Sequence, residues 1–127
     1  MKDRINCGVI PHNRQRYDTC GDYWFDKNGV LQVRVSDMRN RNYQRMVLIH
    51  ELVELTLCQD KGVSFSDIDK FDKAFEARRK PGNTDEPGDD DAAPYREEHL
   101  FATGVEKLIC AKLGINWATY DRVIMNL

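Results

Sequence analysis

Met46-Val47-Leu48-Ile49-His50-Glu51-Leu52-Val53-Glu54-Leu55-Thr56-Leu57-Cys58 is a mainly apolar run that carries three ionisable side chains. Its spacing predicts a helix from about Asn42 to about Asp60, stopping near Gly62. Apolar residues fall on almost every face, so this helix is expected in the centre of the fold. At this length, and interrupted by His50, Glu51 and Glu54, the run is too short and too polar to span a bilayer.

Each residue advances about 100° around an α-helix, so positions four apart lie one turn apart on the same face. His50 and Glu54 are therefore placed to hold one ion, and Glu51 sits beside them, offset enough to reach a water on that ion. The related H-E-x-x-H pattern puts two histidines on zinc and uses the glutamate as general base. Glu54 stands where the second histidine would be, and a carboxylate is still a good zinc ligand. Its charge also admits manganese, magnesium or calcium. Unpaired charges in so apolar a helix are costly, which argues that the three groups are paired, neutralised or metal-bound. The plainer alternatives are a buried salt bridge with an arginine and a solvent-facing stripe.

Outward from this helix the chain divides cleanly. Before it, Tyr23-Trp24-Phe25 and Val30 to Val35 read as strands, the second alternating Leu31, Val33 and Val35 with Gln32 and Arg34. Between them Asp26-Lys27-Asn28-Gly29 supplies a hairpin turn. After it, a second helix is expected from Ser66, capping the amide of Asp69 and carrying Ile68, Phe71 and Phe75. Residues 81–94, PGNTDEPGDDDAAP, hold five carboxylates and no apolar period, and read as a mobile, solvated loop. A third helix should cover about Tyr95 to Leu113, ended by Gly114. The last opens after Asn116 and buries Trp117, Tyr120 and Ile124. The expected architecture is one α+β domain over 1–127: a small N-terminal hairpin or sheet, then a helical bundle around the central H-E-x-x-E helix.

The third helix offers a third ligand. Tyr95, His99, Thr103, Glu106 and Cys110 line one stripe of its wheel, while Phe101, Val105, Leu108 and Ile109 lie broadly opposite. His99 and Glu106 are two turns apart, about 10 Å by helix rise, so one ion cannot readily take both. His99 is favoured, because imidazole suits zinc. Glu106 is then left to a hydrogen bond behind a ligand or to the substrate groove, with Glu97 and Glu98 as alternatives if the helix is rotated. His12 has no spacing that ties it to the site and reads as a surface histidine. Cys58 and Cys110 share faces with the candidate ligands, but buried cysteine more often acts as a small hydrophobe than as a thiolate ligand.

Composition narrows the partners. The chain has 127 residues, a formal charge of -2, 41% hydrophobic and 31% charged residues, the balance of an ordinary globular protein. With no basic excess, neither nucleic acid nor an anionic membrane is favoured as a partner. The start shows no apolar stretch of signal-peptide length, and the four cysteines form no Cys-x-x-Cys pair. Free thiols in a reducing cytoplasm are the expectation.

Taken in order, Gly21-Asp22-Tyr23-Trp24-Phe25-Asp26, Val35-Ser36-Asp37-Met38, His50 to Glu54, Pro87-Gly88-Asp89-Asp90 and His99 to Glu106 resemble a family of small phage and prophage proteins. The resemblance spans most of the chain. It implies a viral or prophage origin, hence a bacterial host cytoplasm, and a zincin-like core in which an edge strand precedes the active-site helix. It supplies no substrate. Glu54 departs from the larger zincin families, which places peptidase activity in question.

Three functions are in play. The first is a zinc-dependent hydrolase, a peptidase among the options, in which His50, Glu54 and His99 hold the ion. Glu51 is then the general base, and Tyr95 or Thr103 donates to the developing oxyanion. Its substrate could dock along the hairpin edge. The second is a non-enzymatic accessory protein that binds a host factor, with a structural metal or none. The third is a magnesium pyrophosphatase using Glu51, Glu54 and Glu106, which leaves His50 without a role.

Overall fold

The computed structural model describes residues 3–127. Three strands, β1 (Ile5–Ile10), β2 (Gly21–Phe25) and β3 (Leu31–Ser36), precede four helices, α1 (Arg41–Lys61), α2 (Phe65–Ala77), α3 (Arg96–Lys112) and α4 (Trp117–Met125). The fold is α+β, as the pattern of elements implied.

The hairpin forms where its turn chemistry placed it. Asp26 Oδ1 accepts from the amides of Asn28 at 2.8 Å and Val30 at 3.0 Å, and Gly29 takes the left-handed φ of 76° that closes the turn. β2 then runs antiparallel to β3, with Tyr23 opposite Val33. β3 is the central strand, because β1 pairs on its other side, parallel, with Cys7 opposite Val33. β1 is an addition to the expected sheet. Asn6 and Gly8 are poor strand formers, so its own residues carry little strand signal.

One face of the sheet is apolar and packs on α1. Tyr23, Leu31 and Val33 join Leu55, Cys58 and Ile68 in one core, and Val35, Met46, Val47, Cys110 and Tyr120 form a second under α3 and α4. Asn40 caps α1 by accepting from the Tyr43 amide at 3.0 Å, and Gly62, at φ 82°, ends it.

The burial of α1 differs from the all-round apolar expectation. Ile49, Val53 and Leu57 are only half-buried, whereas His50, Glu51 and Glu54 are 6%, 8% and 4% exposed. The helix turns its polar stripe inward. The same inversion recurs on α3, where Glu98, His99 and Glu106 are buried and Phe101 and Leu108 are 61% and 72% exposed.

α2 also starts earlier than expected. Its N-cap is Ser64, accepting from the Asp67 amide at 3.4 Å, and Ser66 lies within the first turn. Phe65 is needed inside the helix because it stacks on Phe25 and meets Tyr23 edge-on. Asn116 caps α4 as expected, accepting from the Thr119 amide at 3.0 Å; of the three residues expected inside, Tyr120 is fully buried and Trp117 and Ile124 are half-buried. Among the described residues no helix is long and apolar enough to cross a membrane.

Candidate metal centre

α3 lies along α1, and the inward polar stripes of the two helices meet. His50 and Glu54 point from α1 and His99 from α3. Glu54 Oε2 is the meeting point, 3.0 Å from His50 Nε2 and 3.0 Å from His99 Nδ1. The second oxygen, Oε1, accepts from the Tyr23 hydroxyl at 2.6 Å. Three potential ligand atoms, one each from His50, Glu54 and His99, thus lie within 4.8 Å of one another, all buried.

Behind this trio stands a second layer. His50 Nδ1 donates to Glu106 Oε1 at 2.8 Å, which turns its Nε2 toward Glu54. Glu106 is itself fixed by the Tyr120 hydroxyl, which donates to Oε2. A carboxylate behind a histidine in this way fixes both the tautomer and the ring plane of a metal ligand. The two-turn separation on α3 therefore resolves into two positions: His99 reaches the centre, and Glu106 backs His50. On the far side, His99 Nε2 lies 3.0 Å from Glu86 Oε2 and 3.2 Å from Asp89 Oδ1.

Glu51 occupies the wall of the cavity beside Gly21. A β-carbon on Gly21 would stand 2.6–2.7 Å from the Glu51 side chain, so only glycine leaves room for it. Among the described residues the Glu51 carboxylate accepts no hydrogen bond, unlike Glu54 and Glu106.

The charges follow from this arrangement. Burial, the largest influence, opposes charge on His50, yet its hydrogen bonds to Glu106 and Glu54 hold it well above the ordinary histidine range. Burial is likewise outweighed at His99 by Asp89, Glu54 and Glu86, which raise it to about 12. Glu54 is pushed up by burial but pulled down to about 2 by the two histidines. Glu51 has no such partner: burial, then the nearby Glu54 charge, drives it far upward. Three buried carboxylates and two imidazoles thus share one enclosed space, where each charge must be paired or neutralised.

The cavity over these groups has a volume of about 590 Å³, within the range of small-molecule sites. Tyr95 and Thr103, the alternatives for an oxyanion donor, differ in availability. The Tyr95 hydroxyl donates to Asp72 Oδ1 at 2.5 Å, whereas Thr103 Oγ1 is enclosed with no hydrogen-bond partner and lines the cavity. Glu98 is buried and ion-paired with Lys61 at 3.0 Å, and Glu97 is exposed, so neither enters the trio. His12 is half-buried and tied to Ser36 Oγ and Asp18 Oδ1, both at 2.8 Å, so it is a bridging residue of the N-terminal loop and not a surface histidine. All four cysteines are free; Cys58 packs in the core and Cys110 donates to the Ile115 carbonyl.

Several contributors escaped the sequence reading. Tyr23 appeared only as a strand residue, and Tyr120 only as core. The acidic loop brings Glu86 and Asp89 to His99 through a short 3-10 turn over Pro87–Asp89. Arg16 pairs with Asp22 at 2.7 Å and with Asp69 at 3.1 Å. Asp72 accepts from both Tyr17 and Tyr95. Only the carboxylates themselves gave any sign, and nothing in their spacing points to the partner. No known family model, no curated protein and no solved structure matches this chain.

Proposed function

We propose that this chain binds a divalent metal ion, zinc first, through His50, Glu54 and His99, and works as a zincin-like hydrolase of phage or prophage type. The observation that carries the metal reading is Glu54 Oε2 lying 3.0 Å from a nitrogen of each histidine, with all three groups buried. Tetrahedral zinc with bonds of about 2.0–2.2 Å separates its ligands by roughly 3.3–3.5 Å, so each histidine nitrogen need draw back only a few tenths of an ångström from Glu54 Oε2 to accept the ion. The donor set also suits manganese.

When bound, such an ion polarises a carbonyl and makes its water acidic. The chain's own residues then have distinct tasks. Glu106 and Tyr120 hold His50 in the orientation that presents Nε2. Tyr23 holds Glu54 by its outer oxygen. Glu51, buried and without a hydrogen-bonding partner, is placed to take a proton from an attacking water and return it to the leaving group. Thr103 Oγ1 is an unpartnered hydroxyl in the cavity wall, able to donate where negative charge develops. The cavity's size fits a compact amide or ester, or a few residues of a peptide.

Metal content of untagged protein purified without chelator tests the reading, with His50→Ala beside the parent. At least one equivalent of zinc or manganese in the parent, with the share held by His50 lost in the variant, supports it; Glu51→Ala should then keep the metal and lose hydrolysis. No metal in the parent, with melting unchanged by either ion, overturns it.

A further inference from the structure

His99 presents a nitrogen on each side, and the Glu54 centre uses only one. Nε2 faces away from α1 into the acidic loop, where Glu86 Oε2 and Asp89 Oδ1 stand 3.0 and 3.2 Å away. The three atoms lie within 4.8 Å of one another. His99 is only 5% exposed, and its Nε2 is enclosed yet lacks a hydrogen bond of acceptable direction. The two carboxylates gather around the nitrogen without lying along its N–H. A buried donor with no aligned acceptor is costly and calls for an explanation.

The loop is built to hold that position. Arg79 donates to the carbonyls of Asn83 and Asp85, at 2.5 and 2.8 Å, and Arg78 pairs with Asp90 at 3.2 Å. Both arginines brace the loop and neither pairs with Glu86 or Asp89. Among the described residues, His99 is the one cationic group paired with either carboxylate. Gly88 lies against the His99 ring so closely that a β-carbon there would sit 2.3 Å from Cγ. Two carboxylates and an imidazole nitrogen therefore converge at the mouth of the cavity.

We propose that Glu86, Asp89 and His99 Nε2 bind a second divalent cation, of the zinc or manganese class, outside the one held by His50 and Glu54. One imidazole with two carboxylates suits these ions better than calcium, which takes six to eight oxygens. On binding, the Nε2 proton leaves to solvent and its electron pair makes the new bond, so with both ions present the ring bridges them. The proposal extends the metal reading above, but the outer site needs neither His50 nor Glu54.

Zinc stoichiometry separates the two claims. Untagged full-length protein, the double variant Glu86→Gln/Asp89→Asn and His50→Ala are equilibrated with zinc chloride by dialysis, and bound zinc is counted by elemental mass spectrometry. Two equivalents in the parent and one in each variant are expected. Glu86 and Asp89 side chains are 43% and 48% exposed, so the double variant should keep the parent's circular dichroism and melting. One equivalent in both the parent and the double variant overturns the outer site and leaves the inner one standing; a loss of affinity without loss of stoichiometry there assigns Glu86 and Asp89 to orienting His99 alone. A single equivalent that survives in His50→Ala and disappears in the double variant supports the outer site and sinks the inner.

Discussion

Gly88 and Gly21 each let a side chain of the site occupy the space where a β-carbon would stand. The two differ in what must yield. At Gly88 the obstacle is the His99 ring, fixed by Glu54 on one side and packed between helices. Gly88→Ala should cost about 1–3 kcal/mol, as overpacking does, and weaken zinc binding at the same time. At Gly21 the obstacle is the Glu51 side chain from Cγ to Oε1, which no hydrogen bond fixes, so Gly21→Ala should cost less stability while displacing that carboxylate. Thermal melts of both variants, with zinc affinity, check the order. Asp72 is a third residue with a clear expectation. Burial pushes its carboxyl up to about 7, although the Tyr95 and Tyr17 hydroxyls pull the other way. A raised native value means that stability is complete below the unfolded value near 3.8 and is lost as pH rises through about 7. Asp72→Asn should remove that loss, so the parent should fall by about 2–4 kcal/mol relative to the variant between pH 4 and pH 8. Parallel pH profiles in urea unfolding would refute it.

At the level of elements, the legible parts were those set by local chemistry. The Asp26–Gly29 turn fixes the hairpin through its own side chain and one positive φ, and Gly62 and Asn116 mark helix ends in the same way. His50 and Glu54 were legible as a pair because helix geometry alone puts residues four apart on one face. The stripe of Tyr95, His99 and Glu106 on α3 followed by the same rule. β1 was not legible, because its strand character comes from parallel pairing with β3, 26 residues along the chain. Nor was the meeting of Tyr23, Glu86 and Asp89 with the histidines, since it depends on how elements dock. The start of α2 turns on a small point that can be measured. Ser64→Ala should destabilise by about 0.5–2 kcal/mol, and Ser66→Ala should change stability by only a few tenths. Equal effects, or a larger one at Ser66, would move the cap back to where the sequence alone suggested it.

Over the whole molecule, polar pairs join the layers as much as apolar contacts do. Arg16, from the loop after β1, clasps Asp22 on β2 and Asp69 on α2, and it lies over the Trp24 ring at 4.5 Å. Asp22 is 2% exposed, so its charge depends on that guanidinium. Arg16→Met should cost about 3–5 kcal/mol by leaving the carboxylate buried and unpaired. The double change with Asp22→Asn should recover part of that loss, and chemical denaturation of the two variants decides it. Tyr17 and Tyr95 bind Asp72 from either side of it in the chain in the same manner.

The donors of the central site come from two helices, His50 and Glu54 from α1 and His99 from α3. An ion held by both would work as a cross-link, closing a loop of about fifty residues much as a disulfide does. On the chain-entropy scale for disulfides, a closure of that length removes about 4 kcal/mol of freedom from the unfolded chain. Ion availability in the cell would then set how long the folded chain survives.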